Sequence, residues 1–170
     1  YEWGWEEIAR LRSQMTEASR LIDSDRSVDD VIELLETDPS RSVPKEEFTE
    51  FVQRRLDDAV SALDGPHFDV PDPVKRVTVN LAPPGGALGA WYINPSEDWQ
   101  RSGSVWYALG ERDRIPTRQE VTTAYAEGWA LYAERLMEQL GYLDDPADRF
   151  GMLDGQRMRA ARVVIDLGVH

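Results

Sequence analysis

The amino-acid sequence predicts an α+β fold that is mostly α, with helices flanking a small antiparallel sheet. In the first and last thirds of the 170-residue chain, apolar residues recur at spacings of three and four, which is the pattern of amphipathic helices. In the middle third they alternate with polar residues, as in half-buried strands. Proline and glycine cluster between these segments, where turns are expected.

The first third of the chain contains three predicted helices. Residues 1–22 carry one apolar stripe. Ser27 precedes the second helix with Asp30 three residues later, the arrangement of a capping box. Pro44 opens a third helix that ends near Leu63, because Asp-Gly-Pro follows it.

The rest of the chain contains three predicted strands and two predicted helices. The strands lie near Val74–Leu81, Ala90–Ile93 and Val105–Leu109. The longest helix starts at Pro116-Thr117, with Thr117 as its cap, and the last helix covers about residues 147–167. We therefore expect three segments: a helical arm over 1–66, a β-rich segment over 67–115, and two long helices over 116–170.

Composition excludes several classes of function. The formal net charge of −13 disfavours binding to the phosphate backbone of nucleic acids. No apolar run approaches the ~20 residues that span a bilayer, so no membrane association is expected. The chain has no cysteine, which removes thiolate metal sites and cysteine nucleophiles. No targeting pattern is apparent, so the expected location is cytoplasmic.

The densest group of candidate site residues lies in the predicted helix around Glu127. Glu127 and Glu134 are seven residues apart and share a helix face. Gly128 would let another helix or a bound group approach the backbone closely. The pattern alone favours a simpler interpretation, in which Trp129 and Tyr132 belong to a buried core stripe and the acidic face is solvated.

The last predicted helix carries a second group of candidates. Arg162 and Asp166 are four residues apart, so an ion pair within the helix is one expectation. Arg159 and Arg162 could instead hold a carboxylate or the anionic end of a substrate. His170 follows this helix, where a histidine interacts favourably with the helix dipole.

Several longer motifs resemble those of the bacterial domain-of-unknown-function family 885 (DUF885), in the same order and over nearly the whole chain. They include Glu127-Gly-Trp-Ala-Leu-Tyr-Ala-Glu-Arg-Leu136, Leu140-Gly-Tyr-Leu-Asp-Asp-Pro146 and Arg162-Val-Val-Ile-Asp-Leu-Gly-Val-His170. Members of that family look like gluzincin-type zinc metallopeptidases and are much longer than this chain. The resemblance implies that the chain is part of their C-terminal half.

The resemblance also implies roles for individual residues. In such enzymes one helix supplies two histidines and a general-base glutamate, and a later helix supplies a glutamate as the third zinc ligand. Glu127 matches that later glutamate. His170 matches a histidine near the substrate that stabilises the oxyanion, with Arg162 beside it as a second catalytic candidate. Ala90, Trp91 and Tyr92 would offer a strand edge to a peptide substrate.

One part of the family pattern is absent from this sequence. The stretch His-Glu…Pro-Gly-His-His should follow Val121-Thr-Thr123, but Ala124-Tyr-Ala126 runs directly into Glu127. One carboxylate with water does not hold Zn²⁺ tightly. We therefore expect zinc in the intact family and none bound by this chain.

Two functions remain open from the sequence. The first is part of a zinc metallopeptidase-like protein, inactive by itself, whose intact relatives hydrolyse peptide bonds. The second is a non-catalytic acidic helical module that binds a peptide or a protein partner. The expected partners are a peptide substrate or the missing segments of a parent protein, together with self-association through apolar surface that those segments would otherwise cover.

Overall fold

A computed structural model describes residues 1–84, 89–93, 98, 100, 102–108 and 123–170, and in 89–93, 103–108 and 123–127 it describes the backbone. These residues form five α-helices and three strands, so the chain is mostly helical, as predicted. In chain order they are α1 (Glu2–Ile22), α2 (Val28–Thr37), α3 (Lys45–Leu63), β1 (Val77–Leu81), β2 (Gly89–Ile93), β3 (Gly103–Ala108), α4 (Thr123–Gln139) and α5 (Pro146–Val169).

The chain forms two compact units, which cut across the three segments drawn from the sequence. Unit 1 combines residues 1–41 with 119–170, and unit 2 comprises residues 42–118. The N-terminal helices therefore belong with the last two helices, whereas α3 belongs with the strands.

The core of unit 1 lies where α1 and α2 meet α5. Its buried side chains come from all three helices: Leu11, Met15, Ala18, Val31, Phe150, Leu153 and Ala160. The stripe predicted for α1 is thus the face that packs inward. Complete burial of one such large apolar side chain stabilises the fold by about 1.5–3 kcal/mol.

Helices α1 and α5 approach closely at Gly4. A Cβ atom at this position would lie 2.5 Å from Cγ2 of Val164, well inside an ordinary carbon–carbon contact. At Gly128, where the sequence predicts a close approach of a helix or a bound group, a Cβ atom would meet no described residue within 4 Å. Among the described glycines of unit 1, Gly4 permits the close packing of α1 on α5.

The capping box predicted for the second helix is confirmed. The Asp30 amide donates to the Ser27 hydroxyl, and the Ser27 amide donates to the Asp30 carboxylate. The hydrogen bonds that the Ser27 hydroxyl and then the Ser27 amide donate to the Asp30 carboxylate lower the pKa of Asp30, because they favour its charged form.

Unit 2 contains a three-stranded sheet in the order β1-β3-β2. The prediction of an antiparallel sheet is wrong: β2 and β3 are antiparallel, but β1 and β3 are parallel, so the sheet is mixed. Helix α3 packs beside β1, where the Gln53 amide donates to the Val77 carbonyl and accepts from the Val79 amide. One side chain therefore satisfies a donor and an acceptor on the outer edge of β1.

The fourth predicted helix is described from Thr123 onward, so its start at Pro116 and its cap at Thr117 lie outside the described residues. The expectation that Trp129 and Tyr132 are core residues is wrong, since they are 52% and 54% exposed. Their stripe follows the helical period, but nothing described in unit 1 covers it fully.

Candidate functional site

The two helices that carry the candidate residues form an antiparallel pair. Gly141, at φ +82°, lies in the turn after α4 and adopts the left-handed region that glycine tolerates. Asp145 then caps α5 by accepting a hydrogen bond from the Ala147 amide, with Pro146 in the first helical position. The short connection fixes which residues of α4 and α5 can meet.

Near this turn, Glu138 binds two arginines. Arg135 donates to Glu138 at 2.9 Å, and Arg149 of α5 donates to its other oxygen at 2.7 Å. Burial raises the pKa of Glu138, but the hydrogen bonds from both guanidinium groups outweigh burial, and the pKa is lowered overall. Arg135 also donates to Gln14 of α1, so this cluster links all three long helices of unit 1.

Further from the turn, Glu134 binds the side chains of α5. Arg159 donates to both carboxylate oxygens of Glu134 at 2.6 Å, and Gln156 donates to one of them at 2.9 Å. The described partner of Arg159 is therefore Glu134, which lies two turns after Glu127 on the same helix face. The Nε atom of Arg159 is buried, and no described residue accepts a hydrogen bond from it.

A cavity of about 350 Å³ lies beside this ion pair, between α1, α4 and α5, and we name it the three-helix cavity. Its apolar wall consists of Trp3, Leu131, Tyr132, Ala160 and Val163. Its polar rim consists of Glu7, Arg10, Arg135, Gln156 and Arg159. On that rim the hydrogen bond from Arg10 lowers the pKa of Glu7. Sequence reasoning missed this site, because its residues come from helices far apart in the chain.

Arg162 and His170 lie on the last turns of α5. Arg162 is exposed and lines a second cavity, of about 540 Å³, whose described lining also includes Arg159, Val163, Ile165 and Asp166. The ion pair considered between Arg162 and Asp166 is absent; Asp166 instead lies 3.8 Å from Nε2 of His170. The His170 side chain is 78% exposed.

The remaining predicted site residues are described through their backbone. Glu127 lies in the first turns of α4, and its side chain is outside the described part of the structure. Ala90, Trp91 and Tyr92 lie in β2, paired with β3, and β2 forms one edge of the sheet. Their side chains are likewise outside the described part.

The described residues do not assemble a metal site. No group of three or more histidine, cysteine, aspartate or glutamate side chains in that part of the chain could hold a metal ion. The described side chains therefore do not provide a set of zinc ligands, and we derive no metal-dependent reaction step from them. In the same residues, no helix has both the length and the apolar character needed to cross a membrane.

The fold and the site define a class of mostly helical α+β proteins in which arginine–glutamate pairs join two antiparallel helices around a cavity. Two stretches of the chain, residues 1–126 and 110–170, match the family described as bacterial protein of unknown function (DUF885). The chain belongs to this family.

A solved structure has a similar fold. It is described as "the putative lipoprotein from Colwellia psychrerythraea", is 25% identical, and superposes over 98% of this chain with a TM-score of 0.76. This chain spans 35% of the length of that protein. No curated protein matches the chain.

Proposed function

We propose that this chain is part of a zinc metallopeptidase-like protein that hydrolyses peptide bonds, and that the chain by itself is inactive. The observation that carries the proposal is the antiparallel register of α4 and α5. Glu138 pairs with Arg149, and Glu134, one turn earlier, pairs with Arg159. Extending this register would bring the Glu127 backbone level with about residues 160–166 of α5, a stretch that contains Arg162, while His170 lies about one turn further along the chain. This supports grouping Glu127 with Arg162 in one site.

The way in which the family matches supports the proposed gap before Glu127. The two matched stretches overlap at 110–126. A single chain that lacks an internal family segment would produce two matches that meet near the junction. On this proposal, the segment with the histidines and the general base belongs between Thr123 and Glu127.

Zinc would supply a Lewis acid and an activated water in the intact family. This chain would contribute Glu127 as one ligand. A peptide would add a strand to the edge formed by β2, with Ala90–Tyr92 supplying the backbone partners. Arg162 would hold an anionic end of the substrate, and His170 would stabilise the oxyanion.

The test is a pair of zinc measurements. We expect the 170-residue chain, dialysed against zinc and then buffer, to retain far less than one zinc ion, measured by elemental analysis. A variant with the family's histidine segment inserted after Thr123 should hold one zinc ion and cleave a fluorogenic peptide. In that variant Glu127→Gln should lose the metal, whereas the matched control Glu134→Gln, two turns along the same face, should keep it.

Two results would contradict the proposal. One is stoichiometric zinc in the chain without the inserted segment. The other is an inserted variant that is folded by circular dichroism and holds zinc equally well with and without Glu127→Gln.

We also propose an alternative: a non-catalytic acidic helical module that binds a peptide or protein partner. The observation in its favour is the set of exposed aromatic side chains on α1 and α4, namely Trp3, Trp5, Trp129 and Tyr132. This function predicts concentration-dependent self-association, measured by sedimentation, that Trp129→Ser and Tyr132→Ser reduce. A chain that stays monomeric and shows no change with these substitutions would contradict it.

The location of the protein is a further point to test. We propose a cytoplasmic location, whereas the structural neighbour is described as a "putative lipoprotein". Cell fractionation with an antibody against the chain would decide between a soluble and a membrane-bound pool, and recovery in the membrane fraction would contradict the cytoplasmic proposal.

A further inference from the structure

We infer that the three-helix cavity is a binding site for an organic carboxylate with an apolar body. This inference requires neither zinc nor peptide hydrolysis, so it stands independently of the functions proposed above. It rests on the composition of the cavity, on its charge and on one unpartnered buried donor.

The cavity has the composition of a small-ligand site. Its volume of about 350 Å³ lies at the lower end of the ~300–1,000 Å³ range of such sites. The aromatic rings of Trp3 and Tyr132 and the aliphatic side chain of Val163 form much of the wall. Trp3 and Tyr132 are 62% and 54% exposed, so a ligand body could still gain by covering them.

The charge around the cavity favours an anion, in contrast to the rest of the chain. The charged side chains in the described lining are three arginines, at positions 10, 135 and 159, and one glutamate, Glu7. The lining therefore carries more positive than negative charge, although the chain as a whole carries a formal charge of −13. The glutamates that pair with Arg135 and Arg159 do not line the cavity.

Arg159 supplies the specific contact. Its Nη2 atom donates to Glu134, but its Nε–H is buried and has no acceptor in the part of the chain that the structure describes. Buried donors are nearly always hydrogen-bonded, because an unpaired one loses its hydration and gains nothing in return. A ligand oxygen that reaches this Nε–H would satisfy the donor and form a charge-assisted hydrogen bond.

The test is calorimetric titration of the 170-residue chain with 3-phenylpropionate and with its neutral amide. We expect the acid to bind at least about tenfold more tightly than the amide, the difference that one charge-assisted hydrogen bond produces. The ligand could be the C-terminus of a peptide or a small carboxylic acid. A second pair of compounds, N-acetyl-Ala-Phe and its C-terminal amide, distinguishes these two sources. Tighter binding of the peptide acid indicates a peptide C-terminus, and tighter binding of the small acid indicates a metabolite.

Three variants test whether Arg159 binds the ligand or serves only in the ion pair with Glu134. Arg159→Lys keeps a cation for Glu134 but removes the Nε–H, and should weaken acid binding while the amide is unaffected. Val163→Phe should place a larger side chain in the cavity and weaken the binding of both the acid and the amide. Arg157→Gln is the matched control on the same helix: Arg157 pairs with Asp154, does not line the cavity, and should leave binding unchanged.

Two outcomes would overturn the inference. Equal affinity for acid and amide would identify an apolar packing surface rather than a carboxylate site. Absence of acid binding to a chain that melts cooperatively would exclude the site itself. Thermal melts of every variant show that the measurements are made on folded protein.

Discussion

Gly4→Ala tests the close packing of α1 on α5. The new methyl group would lie 2.5 Å from Cγ2 of Val164, whereas an ordinary carbon–carbon contact is about 3.5–4.0 Å. Val164 is buried, and a β-branched side chain in a helix has one strongly preferred rotamer, so it cannot easily turn away. The two helices must therefore separate by about 1 Å.

The expected loss of stability follows from two opposing effects. Overpacking of a buried contact costs about 1–3 kcal/mol. Alanine is a better helix former than glycine by up to about 1 kcal/mol, but Gly4 lies in the first turn of α1, where this gain is smaller. We expect Gly4→Ala to lower the free energy of unfolding by about 1–2 kcal/mol.

Two controls test this expectation. One makes the same substitution at an open position of α5, and the other removes the side chain that the new methyl group would contact. A Cβ atom at Gly151, within α5, would meet nothing within 4 Å, so Gly151→Ala should stabilise the protein by up to about 1 kcal/mol. In a Val164→Ala background the clash is gone, and Gly4→Ala should become neutral or stabilising. Urea unfolding followed by far-UV circular dichroism measures the wild type, the three single variants and the double variant. The reasoning is refuted if Gly4→Ala stabilises as Gly151→Ala does, or if its cost persists in the Val164→Ala background.

Three further predictions concern the core, the arginine–glutamate network and a helix cap. Trp129→Ala should cost less than about 1 kcal/mol in urea unfolding, whereas Phe150→Ala, which removes a buried ring, should cost about 3–5 kcal/mol; equal costs would contradict the assigned burial. Because the folded-state pKa of Glu138 is lowered below its ordinary value of 4.5, its stabilising effect is present above pH 4.5 and is lost as the pH falls through the folded-state pKa. Glu138→Gln should therefore lower the free energy of unfolding by about 1–2 kcal/mol at pH 7, with a difference from wild type that narrows in melts below pH 4.5 and does not widen. Ser27→Ala should cost about 1 kcal/mol by removing the capping box of α2, and a thermal midpoint that does not change would exclude that contribution.

The helices and strands could be predicted well because their signals are local. The spacing of apolar residues indicates α1, and Ser27 with Asp30 indicates the start of α2, since a capping box needs only four consecutive residues. The direction of strand pairing could not be predicted in the same way. Alternating residues suit a parallel neighbour as well as an antiparallel one, and only the position of β1 beside β3 decides between them.

The residues of the candidate site also differ in whether their signal is local in the sequence. The motif around Glu127 could be found from the sequence, because the motif is contiguous. The partner of Arg159 could not, since Glu127 and Glu134 share one helix face and only the register of α5 against α4 selects Glu134. The three-helix cavity gives no signal in the sequence, because its walls come from three helices that meet only after folding.

The sequence by itself determined where the chain is helical or extended, and which helix faces are apolar. Tertiary structure alone decided which of those faces are buried. Leu11 and Trp129 both lie on apolar stripes of regular period, but Leu11 meets α5 and is buried, whereas Trp129 is half exposed. The period of a stripe is set by helix geometry, while its burial requires a second surface, and that surface comes from elsewhere in the chain.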